Sequence, residues 1–208
     1  MNVNPNVLKR FVIYMAILTF VMFTIWGFVK SFMDRPPGDY ETEVCDIRLK
    51  DKKYNQALEA ANEALNKTPN HRGAMMCKAL VFISEKKYSK ADRTLSSLII
   101  FLEKTVEEDD KTGIGTLAAA YANRGIIKDR SKNYQGALED YIRALGIDHE
   151  AVAGPGLGTI ILNYKFKSSS VKERALYLNE QLQLPEEERV LSIKELDEGQ
   201  VMHKPGKL

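Results

Sequence analysis

Three histidines and two cysteines are the side chains here whose chemistry extends beyond packing and charge. His71, His149 and His203 are far apart in sequence, and none has a second ligand at a metal-binding spacing. Cys45 and Cys77 are too few for a disulfide framework, and on their own they leave the redox compartment open. Residues 154–158, Gly-Pro-Gly-Leu-Gly, are glycine-rich, but they follow no strand pattern and do not fit a dinucleotide fingerprint. No phosphate loop or nucleophile elbow occurs. The residues therefore predict no enzyme, no metal, no cofactor and no small-molecule substrate.

Elements must then account for the chain. The formal charge of +2 gives no electrostatic reason to expect nucleic acid as a partner. The apolar share of 44% is ordinary for a soluble domain, but it is unevenly spread. Residues 11–29, FVIYMAILTFVMFTIWGFV, carry no charge, and only Thr19 and Thr24 interrupt them. A helix of that length spans a hydrocarbon core of roughly 30 Å, and it lacks the polar face of a soluble core helix. Tyr14 and Trp26 suit the two interfaces, and Lys30 can snorkel outward. The run exceeds the ~7–15-residue core of a cleaved signal, so retention is expected. This reading gives a short basic tail over 1–10, a transmembrane helix over 11–32 and a Pro-containing linker over 33–37. Lys9 and Arg10 favour a cytoplasmic N-terminus, which puts the bulk of the chain across the membrane, in a bacterium the periplasm.

Beyond the linker the chain repeats. Lys-Lys-Tyr-Asn-Gln-Ala ends at Ala57, Lys-Lys-Tyr-Ser-Lys-Ala at Ala91 and Lys-Asn-Tyr-Gln-Gly-Ala at Ala137. Tyr54 and Tyr88 are 34 residues apart, and Tyr134 follows after 46, one period plus twelve. Cys45, Ala79 and Gly125 hold one small-residue slot. Ala61 with Ala64, Leu95 with Leu98, and Tyr141 with Ala144 hold another pair of slots. Residues three, four and seven apart share a helical face, and small ones there let helices approach closely. The pattern resembles the tetratricopeptide repeat (TPR) family, whose period and hairpin architecture match. The resemblance implies an all-α fold: a TPR-type α-solenoid with repeats over 38–71, 72–105 and 118–151. Residues 106–117 form an insertion expected to extend the preceding helix to a turn near Gly113 and Gly115. Irregular capping helices follow over 152–199, among them a helix over 157–166 and another over 171–184 ended by Pro185. A mobile basic tail over 200–208 completes the chain. Alanine is expected to be tolerated at Gly125, and Cys45 is read as a packing residue. Cys77 stands two positions before the equivalent slot, so a bridge between them is not expected.

In the family, the first helices of successive hairpins line a concave groove that holds a peptide or partner helix. Carried over position by position, the resemblance assigns partner contact to Met76, Leu80, Ile83, Ala122, Ile126, Asp129 and Arg130. Thr42 and Asp46 replace the basic and asparagine residues of chaperone-tail clamps, so that recognition mode is not expected. The apolar groove residues Met76, Leu80, Ile83 and Ile126 suit either an adaptable partner contact or, as an equal alternative, core covered by the C-terminal hairpin; on the first, Leu80 and Ile83 are expected to tolerate aspartate without loss of helicity. At ~3.5 Å per residue, the linker holds the first hairpin within about 20 Å of the bilayer. A membrane-embedded protein partner follows, met at high effective concentration. The expected function is an anchored interaction scaffold or assembly factor beside a membrane complex. The alternatives are a passive subunit of such a complex and an organellar receptor with cytosolic repeats.

Overall fold

A computed structural model describes residues 5–33, 35–152, 170–193, 200, 202 and 203. It divides into two units, Met1–Pro37 and Gly38–Leu208. The first unit is one helix, α1 (Pro5–Met33), whose stretch Pro5–Lys30 is long and apolar enough to cross a membrane, with none of its hydrophobic window buried. Helix starts before the expected residue 11 because Pro5 stands at its first position, where a missing N–H costs nothing. Lys9 and Arg10 therefore lie on the helix and not in a preceding tail. Thr19 and Thr24 donate to the carbonyls of Met15 and Val21, both at 2.8 Å, so neither hydroxyl needs water.

The second unit is helical, with no strand among its described residues. Three hairpins stack in sequence: α2 (Asp39–Lys50) with α3 (Tyr54–Lys67), α4 (Arg72–Ser84) with α5 (Tyr88–Thr105), and α6 (Lys111–Arg130) with α7 (Tyr134–Ile147). Each hairpin turns on a lysine at the same repeat position, and Lys52, Lys86 and Lys132 have φ of 60°, 58° and 64°. The turn geometry is repeated as well. Lys53, Lys87 and Asn133 each donate 2.8 Å bonds to Arg48, Phe82 and Lys128, the 6→1 bond of a Schellman cap. The tyrosines that open α3, α5 and α7 are half-buried and pack on the hydrophobic clusters.

Core size differs between repeats. The main cluster runs from α4 through α7 to the C-terminal helix and contains Met76, Leu95, Leu98, Ile126 and Tyr141. The first hairpin contributes little: α3 buries only Ala57, Ala60, Ala61 and Ala64. Cys45 on α2 is disulfide-bonded to Cys77 on α4, with Cα atoms 6.4 Å apart. This corrects the expectation of an unbridged pair. The slot rule compares positions within one repeat, whereas α2 and α4 pack side by side, and their crossing turns both cysteines into the shared core with Val81.

Two further differences concern ends. Helix α5 stops at Thr105, and the turn falls at 106–110, well before Gly113 and Gly115, which are buried inside α6. The reason is Asp110, whose carboxylate caps α6 by accepting from Gly113 N at 2.8 Å and also pairs with Arg72. A Cβ on Gly113 would lie 2.4 Å from that carboxylate, so glycine is required by the cap. After the short α8 (His149–Val152) the structure resumes at α9 (Val171–Gln183), opened by a capping box between Ser170 and Glu173 and packed on α7. The break at 154–156 and the helix expected over 157–166 lie outside the described residues.

Candidate partner-binding groove

The concave side is built from α4 and α6, whose inward positions were assigned to a partner. Met76, Leu80, Ile83, Ala122, Ile126 and Asp129 are all buried, and only Arg130 is partly exposed. Leu80 and Ile83 belong to the main core, so aspartate there would bury charge without a partner and destabilise the stack. Part of the cover comes from the same chain: Met202 lies beside Ile83, and Gln200 and His203 lie beside Ile126. The tail, expected to be mobile from residue 200, is packed at the residues described: Gln200 is buried, and Met202 and His203 are half-buried.

Three polar interactions organise the contact. Asn123, 0% exposed on α6, donates through Nδ2 to the His203 carbonyl at 2.6 Å and accepts from the His203 N–H at 2.8 Å. One amide thus satisfies both backbone groups of one residue, as a neighbouring β-strand would. Arg174 on α9 reaches Asp129 through Nε and Nη2, both at 2.7 Å, in a fork that suits a carboxylate. Gln200 donates to the same carboxylate at 2.7 Å and to the Tyr141 hydroxyl at 3.2 Å. The Oε1 of Gln200 is buried with no hydrogen-bond partner among the described residues. Burial and the Asp129 charge push the Tyr141 hydroxyl well above its usual pKa, so it stays neutral and can donate to Asp129 at 3.3 Å.

Behind the groove, Asp140 on α7 accepts Arg124 Nε and Nη2, both at 2.8 Å, and Lys128 Nζ at 2.8 Å. This network fixes α6 against α7. So does the fit of Gly125 to Tyr141: a Cβ on Gly125 would sit 2.6 Å from two ring carbons. Tolerance of alanine at Gly125 is therefore corrected. The small slots vary inversely with the residue at the paired repeat position, Cys45 with Ala61, Ala79 with Leu95 and Gly125 with Tyr141. What stays open is a pocket of about 490 Å³ at the turn end of α4 and α6, floored by Ile83 and Met202 and edged by Lys86, Arg130 and Lys132.

Asn123, Arg174 and Gln200 were not among the sequence-predicted site residues. Arg174 left a trace: Val171, Ala175 and Leu178 form an apolar stripe, and Arg174 is the lone charge on it. Asn123 interrupts an apolar run of α6 and gave a weaker sign. No group of His, Cys, Asp and Glu able to hold a metal occurs among the described residues.

No protein-family model matches the chain, and no curated protein does. Among solved structures, the chain is similar to a TPR domain of OM64 from Arabidopsis, at 18% identity over 55% of this chain and 84% of that one, with a TM-score of 0.46. The repeat geometry itself defines the class: a TPR-type α-solenoid preceded by an apolar helix of membrane-spanning length.

Proposed function

We propose that the chain is a membrane-anchored scaffold or assembly factor that holds a protein partner in its concave groove beside a membrane complex. The observation that carries this reading is that Asn123, on the groove face, already pairs both backbone groups of a single residue, His203. Helix α1, apolar and uncovered, supports anchoring. The Cys45–Cys77 bridge suits an oxidising compartment, which agrees with repeats outside the cytoplasm and disfavours a receptor with cytosolic repeats. A membrane-embedded partner is favoured by the short proline-containing tether. Contact would run through Arg130 at the open end and, once the tail is displaced, through Met76, Leu80, Ile83, Ala122, Ile126 and Asp129.

The buried state of those six residues favours a second reading, a passive subunit whose repeats brace a larger complex. Photo-crosslinking separates the two. A crosslinking amino acid at Arg130 should capture a membrane protein in native membranes, and the same probe at Asn62, exposed on α3, should not. Capture from Asn62 alone would refute groove binding and leave the bracing role.

A further inference from the structure

The interaction between Asn123 and His203 has the form of a ligand bound to a receptor more than of core packing. Core contacts are made by side chains, and their loss leaves cavities. Here the recognised groups at His203 are its own N–H and C=O, held by a side chain that is itself wholly buried. Any residue except proline offers that same pair. Three residues earlier, Gln200 supplies an amide N–H to Asp129, while its own Oε1 is left buried without a described partner. The occupant is thus read at its backbone and at one amide donor, and it fits incompletely.

We propose that Gln200, Met202 and His203 belong to a resident occupant of the groove, and that the partner is an extended protein segment that takes its place. That segment pairs its backbone with Asn123 and places an amide donor against Asp129 three residues before. The Arg174–Asp129 pair belongs to the cap and stays; it holds the carboxylate in position for the incoming amide. Because the resident segment is tethered, it competes at an effective concentration in the millimolar range, so a free segment binds measurably only when the tail is removed or the partner is concentrated in the membrane. This inference rests on the groove reading above and adds what the groove reads.

The test uses the full chain in mild detergent and a labelled synthetic peptide with the sequence of residues 198–208, followed by fluorescence anisotropy. A chain ending at residue 199 should bind the peptide at least about tenfold more tightly than the intact chain. His203→Pro in the full chain removes the N–H that Asn123 accepts, and should also open the groove to the peptide. Asn123→Ala placed in the shortened chain should lower the affinity again by roughly tenfold, the weight of its two hydrogen bonds. Equal affinity for intact and shortened chains would overturn the proposal. Tight binding indifferent to Asn123→Ala would overturn backbone reading. Loss of a cooperative melt in both the shortened chain and His203→Pro would make the tail part of the core and equally overturn it. Peptide binding without any crosslinked partner would instead remove the scaffold reading and leave the resident occupant in place.

Discussion

Reduction of the Cys45–Cys77 bridge should open one end of the solenoid and leave the other standing. The first hairpin has little else to hold it. Helix α2 buries only Glu41 and Cys45, and α3 buries four alanines. At ~0.8 kcal/mol per buried methyl-sized group, those alanines contribute about 3 kcal/mol before entropy is counted. The bridge joins residues 32 apart, and closing a loop of that size in the unfolded chain is worth about 3.7 kcal/mol on the chain-entropy model. The crosslink therefore matters as much as the whole alanine core of the hairpin. Repeats two and three draw on Leu95, Leu98, Ile126, Tyr141 and the ion network at Asp140, none of which depends on it.

In a linear stack, stability is local, so the loss should be local. Hydrogen exchange with mass spectrometry on the full chain in mild detergent should show α2 and α3 losing protection under reductant, while α6 and α7 keep theirs. Cys45→Ala with Cys77→Ala should act like reductant, costing about 2–4 kcal/mol at the first hairpin. Uniform loss of protection along the stack would refute the argument, and so would no loss at all. Labelling of both thiols in unreduced protein from native membranes would remove its premise.

Two further outcomes follow from the groove and its backing. Gly125→Ala should destabilise by up to about 2 kcal/mol in thermal melts, because overpacking against the pinned Tyr141 ring (about 1–3 kcal/mol) exceeds the helix-propensity gain of about 1 kcal/mol. Adding Tyr141→Leu, which copies the Ala79 and Leu95 pair, should remove the penalty; an unchanged melt for Gly125→Ala alone would refute the fit. Partial burial holds the His203 imidazole below its ordinary 6.5, so the tail's docking energy is complete above that value and is lost as pH falls through the lowered one. The hydrogen-exchange protection factor of the residue 203 amide should therefore fall from pH 7.5 to pH 5 in wild type but not in His203→Gln, and a flat wild-type profile would exclude the linkage.

Much of the solenoid was legible because its determinants are local. A lysine before a tyrosine before an alanine, repeated at a fixed spacing, states where each hairpin turns, and Lys52, Lys86 and Lys132 take the left-handed conformation there. The turn at 106–110 was misplaced because glycine ordinarily signals a break, and Gly113 is instead the residue that lets Asp110 cap the next helix. The bridge was missed because it depends on how α2 crosses α4, a property of two repeats and not of one. Gly125 was read as generic smallness, whereas it is one half of a pair with Tyr141.

The groove shows a deeper limit, since a concave position is solvent-facing only if nothing later in the chain covers it. Met76, Leu80, Ile83 and Ile126 are apolar on that face, which from sequence suits adaptability toward a partner and cover by the C-terminal hairpin equally. Burial beneath the chain's own C-terminal part explains the same composition without any partner. Once that explanation is granted, the apolar residues no longer distinguish a binding site from a core. Polar groups do distinguish them, because a buried amide or carboxylate requires hydrogen bonds that a core of aliphatic side chains cannot provide. Asn123 and Asp129 are the groups on that face whose presence packing alone does not explain. Both are answered by the chain from residue 170 onward: Asp129 by Arg174 and Gln200, Asn123 by a backbone that many other segments could present. On the proposed groove reading, recognition would rest on these two buried polar residues, and the apolar lining sets the dry surroundings in which their hydrogen bonds count.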